Sequence, residues 1–236
     1  MSAFSQLEAT TVGPAVIVSP HDDDAIVGCG GLIQALPEKP VIVIVADGYL
    51  GYHKIEHKET LVQMRQQEAL TAYARLGVPE ENVLFLGFPD MSLRNYQNWV
   101  TLDGQEGGYQ KLFKILRQYQ PQTVFLPSEQ DYHPDHKVAF DIGWVTSYQA
   151  HETLMPDFGS PAPIERLYVY QVWDHLDLVT HHFKLDEELA RRKGDSLQSF
   201  ESQLNIIAEF ELLGTLKYDE ELFWLFGELS GSSQVK

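Results

Sequence analysis

The sequence predicts an α/β fold: a three-layer sandwich whose central sheet is mostly parallel and whose active site lies at the carboxyl edge of the strands. Short, continuously apolar runs alternate with longer segments of helical periodicity, which is the pattern of a parallel sheet covered by helices on both faces. Polar residues directly follow several of these runs, and an open parallel sheet binds its ligands at that edge. One domain spanning 1–236 accommodates all of these segments.

Each predicted element rests on its own pattern. Strands are expected where apolar, often β-branched residues run together, at 14–19, 41–45, 83–86, 123–126 and 167–172. Helices are expected where apolar residues recur every three or four positions, at 26–36, 59–76, 109–119, 135–148, 186–205 and 219–226. The polar stretch 92–108 and the proline-containing stretch 155–163 are expected to be irregular.

Composition narrows the classes of function. The chain carries 34 acidic and 17 basic residues, a net charge of −17, so its surface repels phosphate backbones and nucleic acid is not an expected partner. A single cysteine suits a reducing compartment. Residues 1–13 show no signal-peptide pattern and no apolar run is long enough to span a bilayer, so we expect a cytoplasmic protein. The 92–108 loop and the acidic C-terminal helix are candidate interface elements for a homo-oligomer.

The densest polar group follows the first predicted strand, where His21 precedes Asp22, Asp23 and Asp24. In a tight turn from strand to helix, His21 and Asp24 can point to the same side, and both residue types are zinc ligands. Asp24 could instead cap the following helix. However, three consecutive carboxylates repel one another unless a cation or hydrogen-bond donors neutralise them. A bound metal ion is therefore the preferred interpretation.

A second motif, HPDH at 133–136, follows the fourth predicted strand. Its proline fixes the turn, and histidines three positions apart at a helix start can share a face. Surface histidine pairs also arise by chance, but this pair lies at the same sheet edge as the first motif. His21, Asp24 and His136 would supply two imidazoles and one carboxylate and leave a position for water, as in catalytic zinc sites. The same set holds iron(II) elsewhere, so Fe²⁺ or another divalent metal stays an alternative to Zn²⁺.

Asp23 and His133 remain uncommitted beside these candidate ligands. A carboxylate such as Asp23 can accept the proton of an attacking water. An imidazolium such as His133 can stabilise an oxyanion or protonate a departing amine. A metal ion would lower the pKa of water and polarise the scissile carbonyl. Together these groups indicate hydrolysis of an amide.

The other histidines have weaker claims to the site. His53 and His57 have the spacing of metal ligands on a helix but lack a third partner, so we expect them to be solvated or part of a flap. His175 follows the fifth predicted strand and is a candidate for lining the pocket. His181 and His182 precede a predicted helix and are expected to be a surface pair.

The segment SPHDDDAIVGCGG, with DYHPDH further along, resembles the LmbE-like or PIG-L superfamily of metal-dependent N-acetylglucosamine deacetylases. The similarity continues through MRQQEALTAYARLGV and VLFLGFPD and into RRKGDSLQSFESQ. This resemblance implies a Rossmann-like fold and zinc on His21, Asp24 and His136. It also implies Asp23 as general base and His133 as electrostatic stabiliser or acid.

The same resemblance places Arg65 and Asp90 where relatives contact the sugar-bearing substrate. The alternatives are a surface arginine on a helix and an aspartate in a turn. Within the HPDDE part of the common family pattern AHPDDE, the sequence departs at two positions, because Asp22 replaces the proline and Ala25 replaces the glutamate. Neither is a ligand or the base in the family scheme, but loss of the glutamate removes a nearby charge, which can change metal affinity or pocket shape.

The expected function is therefore removal of an acetyl group from a small-molecule N-acetylated amino sugar or glycoconjugate. An amidohydrolase acting on a longer acyl amide is the first alternative, and it differs in the pocket volume beside the acyl group. A non-catalytic sugar- or metal-binding protein is the second, although it would need neither Asp23 nor His133. An iron(II) redox enzyme would need a co-substrate site, which the sequence does not reveal.

Overall fold

Residues 4–229, which the computed structural model describes, form one eight-stranded sheet with helices on both faces. The strands are β1 (Ser5–Gln6), β2 (Ala15–Ser19), β3 (Val41–Ala46), β4 (Val83–Phe88), β5 (Thr123–Pro127), β6 (Arg166–Tyr170), β7 (His181–Lys184) and β8 (Glu220–Glu228). The helices are α1 (Asp24–Ala35), α2 (Leu61–Arg75), α3 (Gly108–Tyr119), α4 (Pro134–His151), α5 (Glu187–Leu197) and α6 (Leu204–Leu213).

The strands are ordered β1-β7-β8-β6-β5-β2-β3-β4 across the sheet. Strand β8 runs antiparallel to both of its neighbours, and all other adjacent strands are parallel. The predicted α/β fold with a mostly parallel sheet is therefore confirmed. Because β2 to β6 are mutually parallel, their carboxyl ends lie on one edge, and His21, Asp90 and Asp131 follow three of them there.

The core consists of two apolar layers, one on each face of the sheet. Every residue of β2 and β3 is buried, which explains why both strands are continuously apolar. Alternate side chains point to opposite faces, so Ile17 packs with α1, α2, α5 and α6, whereas Val18 packs with α3 and α4. Among the helices of residues 4–229, none has both the length and the apolar character needed to cross a bilayer.

The predicted helix at 219–226 is wrong, because this segment forms β8. The segment begins with three acidic residues, a composition that is also favoured at the amino end of a helix. In the structure, Glu221 and Phe223 are buried at alternate positions of a strand that pairs with both β6 and β7. Tertiary pairing therefore overrides the local pattern. His181 and His182 lie in strand β7, which is followed by helix α5 from Glu187.

The predicted helix at 186–205 is correct only in its first part. Helix α5 ends at Leu197, and α6 begins only at Leu204. Between them, the backbone N–H and hydroxyl of Ser202 donate to the carboxylate of Glu68 on α2, at 2.9 and 2.6 Å. Contacts with a second helix thus replace the hydrogen bonds of a continuous helix, which a local periodicity does not reveal.

A buried ion pair joins β8 to the helices. Lys193 of α5 is fully buried, and its Nζ lies 2.7 Å from Oε1 of Glu221. The same carboxylate accepts the backbone N–H groups of Gly31 and Leu32 in α1, at 2.7 and 2.9 Å. One carboxylate therefore connects α1, α5 and β8 on the face that also carries α2.

Replacing Lys193 by methionine is expected to lower the free energy of unfolding by about 3–5 kcal/mol, because it leaves the Glu221 carboxylate buried without a cation. Chemical denaturation measures this loss. Lys184→Met, an exposed lysine of β7, serves as the control and should change stability by less than about 0.5 kcal/mol. Equal stability of the Lys193 variant and the control would show that the ion pair does not hold β8 in place.

Candidate metal and catalytic site

Three candidate ligand atoms form a compact triangle at the carboxyl edge of the sheet. His21 Nδ1 lies 3.2 Å from Asp24 Oδ2, His136 Nε2 lies 3.1 Å from the same oxygen, and the two nitrogens are 3.3 Å apart. Ligands about 2.0–2.1 Å from a tetrahedral zinc ion are about 3.3 Å from one another. The three donor atoms therefore fit one divalent ion with a fourth position open to the cavity.

Two other triads of donor atoms occur among the described residues, but they fit an ion less well. The atoms of His21, His133 and His136, and those of His21, Asp90 and Asp135, lie within 4.8 Å of one another. In the first triad, His133 Nδ1 accepts a backbone N–H. In the second, the carboxylates lie beside the opposite nitrogen of His21, Nε2. The triangle with Asp24 has the shorter and more even separations.

The carboxylate of Asp24 does not cap α1. Asp24 is the first residue of α1, and Asp23 precedes it without making a side-chain capping bond. The Asp24 Oδ2 atom accepts the backbone N–H of His21 at 2.8 Å, which fixes the turn after β2. The capping alternative raised by the sequence is therefore not observed.

A carboxylate lies at the second ring nitrogen of each candidate histidine ligand. His21 Nε2 is 3.2 Å from Asp90 Oδ1, and Asp90 Oδ2 accepts the backbone N–H of Leu50 at 3.1 Å. His136 Nδ1 is 3.0 Å from Asp131 Oδ2. Such carboxylate–imidazole pairs orient metal-binding histidines and strengthen them as ligands.

Asp131 is a candidate site residue that the sequence did not single out. It is fully buried, and besides facing His136 it accepts the backbone N–H groups of His133, at 2.9 Å, and Trp173, at 2.8 Å. It thereby ties the β5–α4 loop to the segment after β6. The only signal for Asp131 in the sequence was its position two residues before HPDH. Spacing alone does not reveal which nitrogen of His136 it faces.

The charges of the triangle support cation binding. Burial opposes charge on Asp24, but the nearby imidazoles of His136 and His21 hold the pKa of this carboxyl well below its usual range. Burial also opposes charge on His136, yet Asp24 and Asp131 raise its pKa to about 9. Hydrogen bonds to Asp135, Asp24 and Asp90 raise the pKa of His21 in the same way. The cluster is therefore strongly anionic until protons, or a metal in their place, neutralise it.

Asp23 lies beside the triangle and has a carboxylate free of capping. Burial raises its pKa to about 7, and the negative charges of Asp24 and Asp22 act in the same direction, while Arg65 opposes them. Arg65 Nη2 lies 3.5 Å from Asp23 Oδ1. A carboxyl group with a pKa near neutrality is suited to both accept and return a proton.

His133 caps α4 through its ring, because Nδ1 accepts the backbone N–H of Asp135 at 3.3 Å. Its ring centroid lies 4.8 Å from that of His21. Burial lowers the pKa of His133 to about 4, and the imidazoles of His21 and His136 contribute in the same direction. This environment favours the neutral ring, with its proton on Nε2, rather than the imidazolium expected from the sequence.

Arg65 lines the same cavity, but its guanidinium is already bound. Its Nε lies 2.9 Å from both carboxylate oxygens of Asp22, its Nη2 also donates to Asp22, and its Nη1 donates to Gln203 Oε1 at 3.0 Å. Arg65 is 4% exposed, so the alternative of a surface arginine is wrong. Asp90 lines the cavity too, with both oxygens engaged as described.

The cavity itself measures about 80 Å³ and opens to the surface. Polar groups of the triangle form one side, and Trp173, Ile206 and Phe210 form an apolar side. Pockets that enclose a whole drug-sized ligand have about 300–1,000 Å³. This volume is suited to one small group of a substrate, with the remainder of the molecule at the mouth. The contribution of α6 was not predicted, because no sequence pattern links this helix to β2.

None of the remaining histidines lines this cavity. His53 and His57 border a separate shallow cavity with Glu201. His175 is exposed, and His181 and His182 are half-buried in β7, where His181 packs edge-on against Tyr168 with ring centroids 5.3 Å apart. His53, His57, His181 and His182 thus lie outside the cavity, and so does His175, which was a candidate for lining it.

Replacing Asp131 by asparagine is expected to lower metal affinity about 10–100-fold, because the amide would no longer hold the His136 ring with a negative charge. Competition with a fluorescent zinc chelator measures the dissociation constant. Asp141→Asn, elsewhere on α4, is the matched control and should leave the affinity unchanged. Unchanged affinity in the Asp131 variant would remove its assigned role in orienting His136.

A family model described as PIG-L, GlcNAc-PI de-N-acetylase, matches residues 16–146, which is more than half of the chain. The chain belongs to the PIG-L family. The matched region contains β2 to β5 and the candidate site residues at 21–24, 65, 90 and 131–136. The resemblance drawn from the two motifs is therefore confirmed.

Individual proteins also match this chain. The 2'-N-acetylparomamine deacetylase of Streptomyces fradiae is 28% identical over 137 residues, which cover 52% of this chain and 48% of the relative. The chain thus spans about half the length of this curated relative. The N,N'-diacetylchitobiose deacetylase of Pyrococcus horikoshii superposes with a TM-score of 0.73 at 21% identity, over 92% of this chain and 84% of that one.

The same fold also occurs in an enzyme with different chemistry. The 4-carboxy-2-hydroxymuconate hydratase of Pseudomonas putida superposes with a TM-score of 0.66 at 20% identity, over 93% of this chain and 99% of that one. Structural likeness at this level establishes the fold alone, so the reaction of this PIG-L member must be argued from its site residues.

Proposed function

We propose that this protein removes the acetyl group from an N-acetylated amino sugar or its conjugate, with Zn²⁺ held by His21, Asp24 and His136. The observation that carries the proposal is the triangle of donor atoms 3.1–3.3 Å apart, with a buried carboxylate and a neutral imidazole beside it. The membership of the PIG-L family and the activity in the names of its deacetylases support this choice of reaction. A protein that only bound metal or sugar would not need Asp23 and His133 in these positions.

Each residue of the site has a role in hydrolysis. The metal ion, when bound, lowers the pKa of water and polarises the acetyl carbonyl. Asp23 accepts a proton from the water that attacks the carbonyl carbon and returns it to the amine nitrogen as the carbon–nitrogen bond breaks, which yields acetate and the free amine. The Nε2–H of His133 donates to the oxygen that gains negative charge in the transition state.

The size of the cavity supports a short acyl group. A volume of about 80 Å³ accommodates an acetamido group beside the triangle, whereas a longer acyl chain would need space that the apolar side of Ile206 and Phe210 restricts. The net charge of −17 and the single cysteine support a small-molecule substrate, no nucleic-acid partner and a cytoplasmic location.

The test is a panel of N-acyl glucosamine glycosides incubated with zinc-loaded protein, with released acid and free amine measured together. We expect equimolar acetate and amine from at least one N-acetyl substrate, and a rate at least about tenfold lower for the matched N-butanoyl substrate because of the restricted volume. Absence of acid from every N-acetyl substrate would contradict the proposed function. Faster release of butanoate would contradict the choice of acyl group.

A further inference from the structure

The positive charge of Arg65 is neutralised by protein groups within the wall of the cavity. Among the described residues that line the cavity, Arg65 is the only lysine or arginine. All three of its guanidinium nitrogens donate to protein oxygens, two of them to Asp22 and one to Gln203. Both side chains of the ion pair are at most 6% exposed. The wall therefore offers a substrate anion no guanidinium that lacks a protein partner.

The contacts of Asp22 and Arg65 with neighbouring segments hold this ion pair in place. Its backbone oxygen accepts the hydroxyl proton of Tyr73 at 3.0 Å, so α2 holds both the arginine and the loop that carries its counterion. Glycines at 48 and 51 pack directly against the guanidinium, because an added Cβ would lie within 3.0 Å of Arg65 atoms. The guanidinium is thus held between Asp22, Gln203 and the two glycines.

Two exposed acidic residues are adjacent in sequence to the aromatic residues on the apolar side of the cavity. Trp173 packs against Phe210 with ring centroids 4.3 Å apart, and against the exposed Tyr132 with centroids 5.7 Å apart. Asp174 and Glu209 are exposed neighbours of Trp173 and Phe210 in sequence. Burial raises the pKa of Tyr132, and the negative charges of Asp131, Glu209 and Asp174 raise it further.

Aromatic rings with adjacent carboxylates recognise a particular kind of ligand. The face of a tryptophan or tyrosine attracts cations and also packs against the apolar face of a sugar ring. Carboxylates at a cavity mouth raise the local concentration of cations and repel anions. Because Asp22 neutralises the charge of Arg65, the wall does not attract an anionic group and so does not offset this repulsion.

We propose that Asp22 is a specificity-determining residue. By neutralising the charge of Arg65, Asp22 makes the site select N-acetyl sugars whose neighbouring group is cationic or uncharged. Sugars that carry a phosphate or carboxylate are rejected. Asp174 and Glu209 favour the cationic substrates among those selected. The inference rests on the proposed deacetylase function and names its substrate class, an amino sugar glycoside with a further protonated amine.

The test compares three β-glycosides of N-acetylglucosamine that differ only in the terminal group of a two-carbon aglycone: aminoethyl, hydroxyethyl and carboxymethyl. For the parent protein, kcat/KM should decrease in that order, with at least about tenfold between the aminoethyl and carboxymethyl glycosides. Raising the salt concentration should narrow this range, because it screens the mouth carboxylates. Equal kcat/KM for all three glycosides would overturn the proposal.

Variants separate the specificity role from a structural one. Asp22→Asn should raise the ratio of kcat/KM for the carboxymethyl glycoside to that for the hydroxyethyl glycoside at least about tenfold, because it removes the carboxylate nearest to the Arg65 guanidinium. Glu209→Gln should lower the ratio for aminoethyl over hydroxyethyl about two- to threefold. Glu38→Gln, the same change of charge at the opposite edge of the sheet, should alter neither ratio.

The outcomes distinguish this inference from the proposed function. Release of acetate without the expected ranking would overturn the inference and leave the deacetylase function intact, whereas no release from any glycoside would overturn the function itself. An equal loss of kcat/KM on all three substrates in Asp22→Asn would assign Asp22 a structural role. If that variant fails to fold, Glu209→Lys provides the test. It should reverse the preference for the aminoethyl over the carboxymethyl glycoside, and an unchanged preference would overturn the proposal.

Discussion

Replacing Asp23 by asparagine is expected to lower kcat for acetate release by about 10²–10⁴-fold, the usual contribution of a general base. The amide has nearly the same size and cannot accept the proton of the attacking water. Because Asp23 makes no capping bond to α1, the substitution leaves the turn that carries His21 and Asp24 intact. Metal content should therefore stay at one ion per chain, while turnover is lost. Acetate release and elemental analysis on the same sample measure both quantities.

The matched control for this experiment is Asp157→Asn, at an exposed turn outside the site. It carries the same change of charge and should retain the kcat of the parent. A kcat of the Asp23 variant equal to that of the control would mean that another group accepts the proton. Loss of metal together with activity would instead mean that Asp23 helps to hold the ion.

Replacing His136 by alanine is expected to remove metal binding and activity together. The change deletes one of three donor atoms, so the dissociation constant should rise by more than the roughly 10–100-fold expected for loss of an orienting partner. It also leaves Asp24 and Asp131 buried without the imidazole between them, a loss of about 3–5 kcal/mol in the stability of the metal-free protein. Isothermal titration with zinc and thermal unfolding of the metal-free chain measure the two effects.

His181→Ala is the control for His136→Ala. His181 is a partly buried histidine of β7 and does not line the cavity. This variant should bind one equivalent of zinc with the affinity of the parent. An unchanged dissociation constant in His136→Ala would show that the ligand set is incorrect, whatever the effect on activity.

The strands that build the site could be predicted because their signal is local. Strands β2 and β3 are covered on both faces, so every residue is apolar and the pattern needs no knowledge of neighbours. The residues that follow a strand end are then fixed at one edge of the sheet by the parallel topology. For this reason His21, Asp24 and His136, which are 115 residues apart at their extremes, could be assigned to one site from the sequence.

What could not be predicted depends on contacts between distant segments. In sequence, the β8 segment resembled a helix because acidic residues usually face solvent. In the structure, Glu221 of this strand is buried against Lys193. The charge state of the wall depends on Asp22 meeting Arg65, 43 residues further along the chain. Neither spacing nor periodicity states which carboxylate faces which cation, and only the fold supplies that information.

The most direct test of a metal-dependent deacetylase is to titrate zinc into the metal-free protein while following acetate release from an N-acetylated amino sugar. If one ion on His21, Asp24 and His136 supports the reaction, the rate should rise linearly and stop rising at one equivalent of zinc per chain, and chelation should abolish it. A metal-free protein that releases acetate at the full rate, or a rate that stops rising only at two equivalents, would contradict this account.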